Sequence, residues 1–172
     1  MAGCNQTLSG LINDCAPSMG GIVEVYAASR EDVESIVETE GVVSTITMGE
    51  TAKFQKYSFK RNTGSMTSTL QVSQENGTRY VSTDLVLSFT RMETAKRIEI
   101  SALAQNDLVV IVKDANGKYW LLGKDEPVKA TAGDGATGTA RADKNGYSIT
   151  LQDNSWEFPF EVDESIVSGL VA

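Results

Sequence analysis

The sequence predicts a mainly β protein with some α (β+α). The expected architecture is an antiparallel β-sandwich or barrel carrying one long hairpin and one flanking α-helix. Three observations carry this. Asn-Gly occurs three times, at Asn76-Gly77, Asn116-Gly117 and Asn145-Gly146, and it is the strongest short-range signal for a tight β-hairpin turn. Residues 65–90 (SMTSTLQVSQENGTRYVSTDLVLSFT) alternate apolar and polar side chains around the first of them, which is the period of a strand half in a core. A capping pattern at Thr90-Arg91-Met92-Glu93 then opens a stretch with helical spacing.

In chain order, residues 1–21 (MAGCNQTLSGLINDCAPSMGG) are small and polar with one apolar cluster, Leu8, Leu11 and Ile12. Pro17 and Gly20-Gly21 close the segment, which reads as an arm, with room for a short helical turn, before a single domain over 22–172. Residues 22–28 (IVEVYAA) form a β-branched strand. Ser29 can cap a short helix with Glu31 and Asp32 in its first turn, Val33, Ile36 and Val37 on its apolar face and Gly41 as its stop. Residues 41–49 are β-like. Residues 53–61 (KFQKYSFKR) read as a strand with Tyr57 and Phe59 on one face. Lys53, Lys56, Lys60 and Arg61 make it basic: either an edge protected by charge or a contact with an acidic neighbouring surface.

In the long hairpin, a two-residue turn at Asn76-Gly77 pairs Val72 with Val81, Leu70 with Thr83, Ser68 with Leu85 and Met66 with Leu87. That face is apolar. The other carries Ser65, Thr67, Thr69, Gln71 and Ser73 against Tyr80, Ser82, Asp84, Val86 and Ser88. The helix beyond it should place Met92, Ala95, Ile98 and Ala102 on an apolar stripe and end near Gln105. Residues 108–112 (LVVIV) are apolar throughout and predict a strand buried on both faces, paired with 119–122 through the second Asn-Gly. Residues 124–140 are a weak strand or loop. The third Asn-Gly joins 137–142 to 147–152. Residues 156–162 (WEFPFEV) are a last strand whose Pro159 suits an edge or bulge, and Asp163 can cap a terminal turn through Val167.

The inventory of chemistry is short. The chain has 172 residues, no histidine, two cysteines and a formal net charge of −8. Without histidine there is no Ser-His-Asp or Cys-His arrangement and no His-ligated zinc. Cys4 and Cys15 are read as free thiols with nothing to activate them. Gly133 to Gly138 is glycine-rich but lacks the Lys-Ser/Thr of a phosphate loop. Asp114 to Gly117 and Asp143 to Gly146 lack the later ligands of a calcium loop. No metal and no cofactor is expected, and no carboxylate pair stands out as an acid-base couple. Net negative charge disfavours sequence-specific nucleic-acid binding, which draws on Lys and Arg, yet suits a surface along which nucleic acid slides. No secretory signal or 18-residue apolar run is visible, so no membrane partner is expected.

The order of parts resembles the major tail (tube) protein family of long-tailed bacteriophages, related in fold to the tube proteins of contractile injection systems. The likeness runs diffusely from Gly20 to Val162. It rests on the arm ending MGG before IVEVYAA, KFQKYSFKRNTGSMTSTLQVS with STDLVLSF, TRMETAKRIEISALA, DLVVIVKDANGKYWLLG, and ADKNGYSITLQ with WEFPFEV. The resemblance implies a structural virion protein, not an enzyme, assembled in the host cytoplasm. It implies rings of six stacked with other tail proteins into a tube, with DNA passing through the lumen unbound. In that arrangement Thr67, Thr69, Gln71, Ser82 and Asp84 line the channel, and Leu70, Val72, Leu85 and Leu87 hold the hairpin to its own subunit. Lys53, Lys56, Lys60 and Arg61 are candidate inter-subunit contacts. Two other readings stay open: a decorating or receptor-binding virion module, and a small glycosidase using two carboxylates.

Overall fold

The structure, a computed structural model, describes residues 7–172. Cys4, and with it any pairing to Cys15, lies outside the described residues. Among the described residues eleven strands form two sheets. The larger is built from β1 (Ile22–Ser29), β2 (Val33–Thr39), β3 (Val42–Met48), β4 (Gln55–Tyr57), β7 (Leu108–Asp114), β8 (Tyr119–Leu122) and β11 (Phe160–Val162). Its order is β2-β3-β11-β8-β7-β1-β4. The smaller contains β5 (Ser65–Ser73), β6 (Thr78–Thr90), β9 (Lys129–Ala136) and β10 (Gly146–Ser155), ordered β5-β6-β10-β9. Two helices, α1 (Thr94–Gln105) and α2 (Glu164–Leu170), complete the chain. The expected mainly β fold with a flanking helix is what the chain adopts; among the described residues a second, short helix joins it.

The larger sheet cannot be flat. β1 and β2 are joined by three residues, Arg30–Asp32 in a 3₁₀ turn, whose span from Ser29 to Val33 reaches at most about 14 Å. In a flat sheet those strands, five places apart, would lie about 24 Å from each other. The sheet therefore rolls, and its concave side closes on one apolar cluster. Tyr26, Ala28, Val33, Val43, Ile46, Val109, Ile111, Leu121 and Val162 meet there around Phe54 and, from α2, Val167. Phe54 also locks the chain's end. Its N–H donates to Leu170 O (2.9 Å) and its carbonyl accepts from the N–H of Ala172 (3.0 Å).

On the convex side, Leu108, Val110 and Val112 pack with Val25 and Ala27 against Leu85, Leu87, Ile149 and Leu151 of the smaller sheet and Leu103 of α1. Residues 108–112 are thus buried on both faces, as their unbroken apolar run predicted. The Asp114 turn also forms. Asp114 Oδ1 accepts from the N–H groups of Asn116 and Lys118 (both 2.9 Å), Oδ2 accepts the Trp120 indole N–H (3.0 Å), and Gly117 has φ of 84°. Asp163 caps α2 by accepting from Ser165 N–H at 2.9 Å, which holds its carboxyl below the usual range.

Several local expectations fail, each for a physical reason. The helix expected after Ser29 is a strand: Val33, Ile36 and Val37 are β-branched, and Glu40-Gly41 makes a better turn than a helix stop. Glu40 (φ 54°) and Gly41 (φ 83°) are both left-handed between the paired residues Thr39 and Val42, the geometry of a two-residue primed turn. At the long hairpin, Ser73 pairs with Thr78, leaving residues 74–77 as a four-residue loop. Each residue therefore faces a partner two places from the expected one: Val72 faces Arg79, Leu70 faces Val81, Ser68 faces Thr83 and Met66 faces Leu85. A slip of two keeps every side chain on its expected face.

The burial does change. Leu85 and Leu87 are in the core, but Leu70 and Val72 are exposed (42% and 60%), because the hairpin overhangs the end of its sandwich. They do not hold the hairpin to its subunit. The third Asn-Gly is no turn either; residues 137–145 form the loop between β9 and β10. Of residues 53–61 only 55–57 are a strand, and of 156–162 only 160–162, where β11 lies inside the sheet between β3 and β8 rather than at an edge.

The start of α1 is also corrected. Thr90 remains in β6, Glu93 is the N-cap position without a side-chain cap, and the helix is held from outside. Asn145 accepts from Arg91 N–H through its backbone carbonyl (2.5 Å) and from Met92 N–H through Oδ1 (2.9 Å). Lys96 Nζ donates to Thr90 O (2.5 Å). The helix turns Ile100 and Leu103 to the core and leaves the expected stripe residues Met92, Ala95 and Ile98 exposed.

Leu85→Ala should cost about 2–5 kcal/mol, the usual price of a core leucine truncation, while Val72→Ala should stay within about 0.5 kcal/mol. Urea unfolding of the two variants checks this. Gly146→Ala should also destabilise, since an added methyl would overlap the carbonyl of Phe89 across the sheet.

Candidate assembly surface

The smaller sheet has two unlike faces because its strands alternate in register. Leu85 pairs with Leu151 and Leu87 with Ile149 on the side facing the core. On the other side, Thr67 pairs with Asp84 and Asp84 with Gln152; Thr69 pairs with Ser82 and Ser82 with Asn154; Gln71 pairs with Tyr80. Thr67, Thr69, Gln71, Ser82 and Asp84, singled out from the sequence, therefore do share one solvent-facing surface. Gln152 donates from Nε2 to Asp84 Oδ1 at 2.9 Å, and Ser148 donates to Asp134, so polar rows run across the strands.

Sequence reasoning missed the β10 half of this surface. Ser148, Thr150, Gln152 and Asn154 alternate with Ile149, Leu151 and Asp153, and that alternation was available as a signal. Asp134 of β9 pairs with Ser148 and adds a second carboxylate.

Both margins of the smaller sheet are open. β5 pairs with β6 and β9 with β10, and among the described residues neither carries a further strand. Such edges present unpaired backbone donors and acceptors and are templates for another strand.

The four basic residues of 53–61 separate. Lys56 pairs with Glu24 at 2.7 Å, and this bond, with that from Tyr26, keeps the Glu24 carboxyl below its usual range. Lys53 donates to Gly169 O at 2.5 Å. Lys60 and Arg61 lie exposed after β4, in no ion pair among the described residues. The basic stretch is half structural.

The described part of the arm, residues 7–21, is exposed and has no helical turn. Leu8, Leu11 and Ile12 are uncovered (94%, 103% and 95%). It is tied down only at its end. Met19 N–H donates to Asn116 Oδ1 (2.9 Å), Asn116 Nδ2 donates to Ser18 Oγ (3.2 Å), and Ala115 N–H donates to Gly21 O (3.0 Å). The second Asn-Gly turn thus serves as the clamp for the arm.

Among the described residues no group of three or more acidic or cysteine side chains could hold a metal ion. Close polar side-chain bonds include Tyr57 to Glu99 (2.5 Å) and Lys118 to Glu161 (2.6 Å).

No protein-family model and no curated protein matches the chain. Among solved structures, a chain from the tail of an empty GTA particle, determined by helical refinement with C6 symmetry, is similar at a TM-score of 0.37 and 12% identity, covering 76% of this chain and 98% of that one. Agreement at that level carries no weight for fold or function.

Asn116→Ala should release the arm without unfolding the domain. Limited proteolysis should cut within residues 14–21 faster than in the parent, with thermal stability lower by no more than about 1 kcal/mol, the worth of an exposed side-chain hydrogen bond.

Proposed function

We propose that this chain is a structural tail protein that assembles into rings of six, stacked into a tube that conducts DNA. The observation that carries the reading is a four-stranded sheet open at both edges, with a core-facing apolar side and an outward side of Ser, Thr, Gln and Asn. Pairing the β5 edge of one copy with the β9 edge of the next closes the sheets into one barrel and removes both edges. Six copies bring about 24 strands; at a spacing of about 4.8 Å and a tilt near 40°, the backbone cylinder is roughly 45–50 Å across. Its lining is the polar face, with Asp84 and Asp134 as carboxylates. Such a lining offers a phosphate backbone hydrogen-bonding groups but little attraction, so DNA moves through it.

Roles for Lys60, Arg61 and the arm at contacts between subunits belong to the same proposal, as does a location in the virion tail. Nothing in the reading requires catalysis or a cofactor.

A second reading has its own support. Trp156 (70% exposed) and Phe158 (54%) stand out on the loop before β11, and Trp156 lines a cleft of about 740 Å³ with Tyr80, Arg79, Asp125 and Glu126. Exposed aromatic side chains over a cleft suit a decorating or receptor-binding module.

Negative-stain microscopy of the purified protein separates the two. Rings or tubes with a central channel support the first, and a monomer at millimolar concentration overturns it. Thr69→Lys with Gln71→Lys should leave rings intact and confer salt-sensitive retention of duplex DNA absent from the parent.

A further inference from the structure

A polar row crosses the core-facing side of the smaller sheet where the apolar packing ends. Ser68 Oγ and Thr83 Oγ1 lie 2.8 Å apart, and Thr83 pairs across the ladder with Asp153. Thr83 and Asp153 are the two buried polar residues among those described, at 1% and 3% exposure. Asp153 Oδ1 has no hydrogen-bond partner. An ionised carboxylate so placed is poorly solvated.

The residues beside it form a short strap. Gly123 begins the strap with φ of 91°, against the backbone of β7, where a side chain would strike Leu108 O. Val128 ends it, exchanging backbone hydrogen bonds with Leu108 at 3.0 and 2.8 Å. Lys124 is engaged with Glu38 (2.7 Å) and lies over the Phe160 ring. That leaves Asp125, Glu126 and Pro127, which are fastened to β10 through one carboxylate. Asp125 Oδ2 accepts from Ser155 Oγ (2.7 Å) and from Trp156 N–H (3.2 Å).

We propose that Asp153 and Asp125 form a pH-sensitive clasp, in which a neutral Asp153 lets the 124–127 strap close on Ser155 and Trp156 and an ionised Asp153 loosens it. The charged groups facing Asp153 are Asp125 and Glu126 of the strap, both negative. Across the ladder it pairs with Thr83 of β6, whose hydroxyl meets that of Ser68 on β5. Burial pushes its carboxyl up to about 6, Asp125 and Glu126 add to the rise, and the Gly123 N–H opposes it.

The sign follows from proton binding. The closed form holds the proton more tightly than the open form, whose carboxyl has an ordinary pKa near 3.9. Closure is therefore strongest below about pH 4, weakens as the pH rises towards 6, and is flat above that. The device acts at the end of the sheet where the hairpin overhangs and Trp156 stands exposed, so it governs how firmly that end is held.

Hydrogen exchange read at the Trp156 amide, the donor that Asp125 holds, corrected for intrinsic rate, tests it. Two units of pKa difference imply an opening constant about 50-fold larger at pH 7 than at pH 4. Asp153→Asn should flatten that ratio to under about threefold, with strong protection at both pH values. Asp125→Asn, which keeps an acceptor for Trp156 and removes the repulsion, should give an intermediate ratio and serves if Asp153→Asn does not fold. A parent protein with equal opening at both pH values, or a full pH response persisting in Asp153→Asn, overturns the proposal. So does a full, parent-sized response in Asp125→Asn.

Discussion

The structure depends on the ladder between β6 and β10. Its ten residue pairs run without a register shift from Gly146 and Thr90 to Ser155 and Val81. Because side chains alternate along a strand, one unbroken register sets both sides of the smaller sheet at once. Leu85, Leu87, Ile149 and Leu151 must point together into the core, and Asp84, Ser82, Gln152 and Asn154 must point together out of it. A shift of one residue would exchange the two sets. The glycine at the start of β10 belongs to this constraint: only a residue without a Cβ lets the strand approach Phe89 and Thr90 so closely. Asn145, just before it, then reaches the start of α1, so the ladder also positions the helix.

The sequence made the faces legible and the turns much less so. Strand alternation is a property of residue type and survives an error in loop length, provided the error is even. That is why the four-residue loop at 74–77 left the polar surface intact while changing every cross-strand partner. The unbroken run at 108–112 and the Asp163 cap were equally local signals, and both hold. What failed was decided by pairing with other strands. Val33, Ile36 and Val37 have spacing that fits either a helix or a bulged strand, and the rolled sheet, with β3 as neighbour, selects the strand. The Thr90 capping box lost to pairing, because Thr90 is worth more as a partner of Gly146 than as a cap.

The same distinction explains the surface residues. Lys53 and Lys56 looked equivalent to Lys60 and Arg61, since sequence shows charge and not the acceptor that consumes it. Glu24 and the carbonyl of Gly169 lie 32 and 116 positions away. The alternation of β10 is in the sequence, but that it continues the polar face of the long hairpin emerged only when its partner was known. Exposure of Leu70 and Val72 is likewise a matter of where the sandwich stops, which no hairpin pattern encodes.

The position of β11 has a consequence for biosynthesis. This three-residue strand follows β3 by more than a hundred residues, yet it lies between β3 and β8 and, among the described residues, is what bridges the β2–β3 hairpin to the rest of its sheet. Phe54, at the centre of the rolled cluster, likewise waits for Leu170 and Ala172. Until β11 has been made, the β2–β3 hairpin therefore lacks the neighbour it pairs with among the described residues. Its place in the rolled sheet is filled only once β11 has been made, by contacts that span more than a hundred residues. Long-range closure of this kind is slow, and it makes the nascent chain, rather than the finished subunit, the species most in need of protection from aggregation.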